Sequence, residues 1–111
     1  MQFILDGDIY KIARITGPKH NLLGVRFSET IDKVETILLP TKDGEPQNIE
    51  PQDVLREVEE GLNIVNLELN KQYFVSEIYY IPSDTKPVSV YSFLIQELIK
   101  RINDGGEFIT V

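Results

Sequence analysis

"QDVLREVEEGLNIVNLELN", residues 52–70, decides the fold. With a helical period, Val54, Leu55, Val58, Leu62, Val65 and Leu69 fall within an arc of roughly 100°, and the whole stretch is one amphipathic helix. With a break at Gly61, it becomes a short helix followed by a strand, "LNIVNLELN", paired with "QYFVSEIYYI" of residues 72–81. We adopt the single helix. Pro51 suits its first position, because the missing N–H would have had no partner there. Glu50 and Asp53 place negative charge at the positive end of the helix dipole. Gly61 lies at the edge of the apolar arc, where it is expected to mark a close approach to a sheet.

That sheet is legible on both sides of the helix. "QFIL", the turn "DGD" and "IYKIARIT" read as a hairpin. "GPKHN" reads as a loop. "LLGVRF" sets Leu23, Val25 and Phe27 on one face, and "TIDKVETILLP" continues as a fourth strand ended by Pro40. Short connections between these runs favour antiparallel pairing. "QYFVSEIYYI" is a fifth strand, and "SVYSFLIQELIKRIN" a second helix that buries Tyr91, Leu94, Ile95, Leu98, Ile99 and Ile102. Lys100 and Arg101 suit the negative end of that helix, and "DGG" stops it. "EFITV" adds a short last strand. The expected fold is a single α+β domain over residues 1–111: an antiparallel sheet of about five strands, with two helices on one face, in the order β-β-β-β-α-β-α.

The length of 111 residues fits one core. The absence of cysteine excludes disulfides, thiolate metal sites and cysteine nucleophiles, and suits a reducing, cytoplasmic setting. The opening "MQFILDGDIYK" has no basic leader, so no secretory signal is expected. No apolar run approaches the ~20 residues of a membrane span. Net charge is −7 and it is unevenly spread. Residues 43–60 carry Asp43, Glu45, Glu50, Asp53, Glu57, Glu59 and Glu60 against Arg56 alone. Such a patch repels nucleic acid and anionic lipid and attracts a basic protein.

Catalytic chemistry is hard to find. His20 is the one histidine, with no evident orienting partner or nucleophile. The Asp-Gly turns at Asp6 and Asp43 do not follow the spacing of a calcium loop, so no metal or cofactor is expected. Neither a phosphate-binding loop nor a nucleophile elbow occurs. Glu59 and Glu60 are adjacent on a helix and diverge by about 100°, which rules out a shared proton.

The first helix carries a second stripe, Asp53, Glu57, Glu60, Ile64 and Leu67, on the face away from the core arc. One account is that the tail "EFITV" or another segment covers Ile64 and Leu67 while the acids are solvated. The other is a docking strip, in which acids steer a basic partner and the aliphatics hold it. Phe93 lies off the buried stripe of its own helix, where it either extends such a surface or caps the sheet edge. Tyr79 and Tyr80 are neighbours on a strand, so one packs under a helix and the other faces water or a partner. Pro82 and Pro87 bracket a stiff strand-to-helix corner in which Asp84 or Thr85 bonds the local backbone.

In the second half, Gly61 in the helix, Asn66 near its end, the strand "SEIYYI", the corner "PSDTKP" and a helix led by Tyr91 resemble the carboxy-terminal half of small immunity proteins. These neutralise polymorphic toxins, including those of contact-dependent growth inhibition. The resemblance implies a non-enzymatic cytoplasmic protein that binds a toxin domain, often a basic nuclease. Its contact surface is then expected at Asp43, Glu45, Glu50, Asp53, Glu57, Glu60, Ile64 and Leu67, with Tyr79 or Tyr80. The rival reading is a structural module that homodimerises through Ile64, Leu67 and Phe93.

Overall fold

The computed structural model describes residues 1–16, 19–30, 33–40, 44–86 and 88–111; Asp43 and Pro87 lie outside the described residues. Residues 52–70 do form one helix. α1 spans Pro51–Leu69, and Asn70 in the left-handed conformation ends it by donating its N–H toward the Asn66 and Leu67 carbonyls. The remaining elements are β1 (Gln2–Asp6), β2 (Ile9–Thr16), β3 (Lys19–Ser28), β4 (Glu35–Leu38), β5 (Phe74–Tyr80), α2 (Val90–Asn103) and β6 (Ile109–Thr110). The fold is α+β.

The sheet is mixed and six-stranded, in the order β4-β5-β3-β2-β1-β6. The pairs β1–β2, β2–β3 and β3–β5 are antiparallel, whereas β4–β5 and β1–β6 are parallel. This corrects the expected all-antiparallel sheet. β4 does not fold back on β3. It reaches β5 through the helical crossover α1, and a crossover of that kind brings strands in parallel. The place beside β3 goes to β5, which brings Val75, Ile78 and Tyr80 into the core, while β4 has no fully buried residue. A second correction concerns His20 and Asn21, expected in a loop: β3 already begins at Lys19.

One apolar core joins sheet and helices. Ile12, Leu23, Val25, Ile78 and Tyr80 meet Val54, Val58, Val65, Tyr91, Leu94, Ile95, Leu98 and Ile99. α2 rests on β2 and β3, and α1 rests chiefly on α2. Gly61 therefore marks a helix–helix approach, not the expected helix–sheet one. A Cβ at Gly61 would collide with Ile95 Cγ2 and the Ser92 carbonyl oxygen. Glu57 meets Tyr91, Gly61 meets Ser92 and Ile95, and Glu68 meets Lys100, so the contacts advance in the same direction along both helices. The two helices run parallel.

The chain's last segment closes the other edge of the sheet. Phe108 stacks edge-on against Phe3 and Tyr10, with ring centroids 5.9 and 5.3 Å apart, and Arg101 lies 4.7 Å over the Phe3 ring. The Val111 N–H donates to the Leu5 carbonyl at 3.1 Å. Among the described residues, no helix is long and apolar enough to cross a membrane.

Candidate protein-docking surface

The placement of that tail bears directly on Ile64 and Leu67. "EFITV" packs beside β1, so it does not cover them. Ile64 is 49% and Leu67 85% exposed on α1, and Phe93 is 40% exposed on α2. Water in contact with two such aliphatics on a packed helix is an unfavourable arrangement unless something else covers them.

The acids divide. Glu45, Glu50, Glu59 and Glu60 are exposed, and Asp53 is half-buried and paired with Arg56 at 2.8 Å. Glu57 is not part of the surface, contrary to expectation. It is buried, and its Oε1 accepts the Tyr91 N–H at 3.0 Å. Ser89 precedes α2 at φ 60° and makes no side-chain cap, which leaves the first-turn amides of α2 without a local acceptor. The parallel neighbour supplies one, and a carboxylate is favourable at that positive helix end. Burial raises the Glu57 carboxyl above its ordinary value, while the Tyr91 bond works in the opposite direction.

The tyrosines also leave the strip. Tyr80 is buried under the helices, and its hydroxyl has no hydrogen-bond partner among the described residues. Tyr79 lies half-buried on the other face of the sheet, 3.2 Å from the position a Cβ on Gly24 would take. Its hydroxyl donates to Glu77 Oε1 at 3.2 Å, and Glu77 shares Arg26 with Asp8. One tyrosine in and one out is the alternation a strand imposes: the buried Tyr80 hydroxyl feels the charge of Glu50, and Tyr79 faces the other side of the sheet.

A feature missed in the sequence stands beside Leu67. A groove of about 950 Å³ runs between the second half of α1 and the start of β5, with Glu59, Leu62, Asn63 and Leu67 on its helical wall. Phe74 lines it from β5, and Lys71 and Tyr73 from the turn between. Asn66 holds that turn: its Nδ2 donates to the Tyr73 carbonyl at 3.1 Å and its Oδ1 accepts the Tyr73 N–H at 3.0 Å. The signal that was available is the spacing of Asn63, Asn66 and Asn70, a polar row beside the apolar arc.

The corner at residues 82–86 is tied to distant strands as well as to itself. Asp84 Oδ2 accepts the Leu22 N–H at 2.8 Å, and its Oδ1 lies 3.7 Å from His20 Nε2. Asn21 Nδ2 donates to the Thr85 carbonyl at 2.8 Å and lies 3.4 Å from the Tyr91 hydroxyl. The Asn48 N–H donates to the Pro82 carbonyl at 2.8 Å. Burial raises the carboxyl of Asp84 and the hydroxyl of Tyr91 above their ordinary values. Among the described residues no group of three or more histidines, aspartates or glutamates forms a metal-binding cluster. No family model, curated protein or solved structure matches the chain.

Proposed function

We propose that this chain is a non-catalytic binding protein of the immunity type. It neutralises a basic, nuclease-type toxin domain by occluding the active site or an adjacent exosite through the acidic face of α1. The observation that carries the reading is the exposure of Leu67, at 85%, on the helix that also exposes Glu59 and Glu60. Unpaired acids speed encounter with a basic surface, by an effect that salt screens. An aliphatic anchor slows release once water is excluded around it. The cytoplasmic setting expected for such an inhibitor belongs to the same proposal.

The test starts from the neighbouring gene: if it encodes a large exported protein with a small basic carboxy-terminal domain, association with that domain is measured by biolayer interferometry at low salt. Reversing Glu50, Glu59 and Glu60 to lysine slows association. Ile64→Ala and Leu67→Ala quicken dissociation. A domain that does not bind at low salt removes the reading.

A second reading keeps its own support. Ile64, Leu67 and Phe93 are all exposed on the helical layer, as a homodimer seam through α1 and α2 requires. Sedimentation velocity at two concentrations separates the two readings, because only the seam predicts a self-associated species without a partner.

A further inference from the structure

The groove beside Leu67 has chemistry specific enough to describe what fits it. Its helical wall runs from Glu59 to the end of α1 at Leu69, about 15 Å at roughly 1.5 Å per residue. An extended chain covers that length in four or five residues at about 3.3 Å each. Glu59 stands at one end without an ion pair among the described residues, and Lys71 lines the turn at the other, so a cation is favoured at the Glu59 end alone. Leu62, Leu67 and Phe74 supply apolar surface along the middle. The exposed side-chain amides of Asn63 and Asn70 carry no hydrogen bond among the described residues, and each offers a donor and an acceptor that a ligand would take over from water. The groove already shows how such an amide is used: Asn66 takes both the N–H and the carbonyl of Tyr73. The interior of a helical ligand has its backbone groups already paired and offers none to Asn63 and Asn70. An extended ligand does.

We infer that the groove between α1 and the start of β5 seats a short extended segment of a basic partner, with a lysine or arginine at Glu59 and apolar side chains against Leu62, Leu67 and Phe74. This rests on the binding-protein reading and names the part of the partner that is gripped. It moves the centre of the contact from the ridge of Asp53, Glu60 and Ile64 round to the groove side of the same helix.

The probes are two capped pentapeptides, Arg-Leu-Thr-Leu-Thr and Glu-Leu-Thr-Leu-Thr, titrated to millimolar concentration against the isotope-labelled full chain and followed by amide NMR shifts. The arginine peptide is expected to shift Asn63, Leu67 and Phe74 and to bind about tenfold tighter than its glutamate counterpart. Glu59→Arg inverts that order. Leu67→Ser weakens both peptides about tenfold, and since Leu67 is exposed the variant keeps its fold. Equal affinity of the two peptides, shifts confined to another face, or no shifts at all overturns the inference. So does a set of groove shifts that depends on protein concentration alone, which would make the occupant a second copy. A toxin-type domain that binds Asn63→Ala normally, while Ile64→Ala and Leu67→Ala still quicken its release, removes the groove and leaves the immunity reading standing. Peptide binding here with no binding of the domain does the reverse.

Discussion

The carboxylate of Glu57, on the first helix, accepts the backbone N–H of Tyr91 in the first turn of the second, at 3.0 Å. A side chain that looks like one more surface acid is thereby the N-terminal cap of another helix. Glu57→Ala leaves a buried amide without a partner and is expected to cost about 1–2 kcal/mol in urea unfolding. Glu57→Gln keeps an acceptor oxygen and is expected to cost clearly less.

The same residue sets a pH signature. Burial raises the folded carboxyl above its unfolded value, so in the window just above the ordinary glutamate range the native state binds more protons than the unfolded one. The contribution of Glu57 to stability is therefore full below that window and is lost as pH rises through the raised value. Urea midpoints of the wild type and Glu57→Gln, measured from acid to neutral pH, are expected to diverge in favour of the wild type as pH falls. A difference independent of pH would refute the assignment.

Gly61→Ala tests the helix crossing. Alanine gains up to about 1 kcal/mol of helix propensity over glycine. Here its methyl group would meet Ile95 and the Ser92 backbone, and overpacking of that kind typically costs about 1–3 kcal/mol. Net destabilisation in thermal or urea unfolding is the expected outcome. A stabilised variant would show that the helices separate freely at this point.

Asp84→Ala removes the acceptor of the Leu22 N–H and the neighbour of His20, and it loosens the corner between β5 and α2. A loss of about 1–3 kcal/mol is expected, with Asp84→Asn falling between the alanine variant and the wild type. Hydrogen exchange at Leu22 reports the effect locally: that amide should exchange faster in the alanine variant.

Leu67→Ala and Ile64→Ala should leave unfolding within about 0.5 kcal/mol of the wild type, because neither side chain is part of the core. Any larger loss would mean that another part of the chain covers them.

The helices were legible because each buries a stripe that repeats at the helical period, and Val54, Val58 and Val65, like Leu94 and Leu98, are fully buried. What a helix does for a distant element is absent from its own periodicity. Glu57 lies in line with Asp53 and Glu60 on a helical wheel, and only the arrival of Ser89 and Tyr91 from another helix turns it inward. The partner expected for Gly61 was the sheet, because a glycine marks a close approach and not the element that makes it. The strand order was hidden for a similar reason, since connection length argues about neighbours in sequence and β5 reaches β3 across a helix. The groove escaped because its two walls are separate elements, and neither Asn63 nor Phe74 alone implies a concavity.

The insertion of β5 between β3 and β4 also governs when the protein can exist. A ribosome delivers the first four strands and α1 before Phe74–Tyr80 emerges, and until then β3 offers a bare edge while β4 has nothing to lie against. Pairings that span so much of the chain form slowly, and an unfilled strand edge is a template for other chains. A nascent chain whose emerged part stops between Asn70 and Tyr80 therefore exposes an unfilled strand edge. Arrival of a single seven-residue strand then closes the gap.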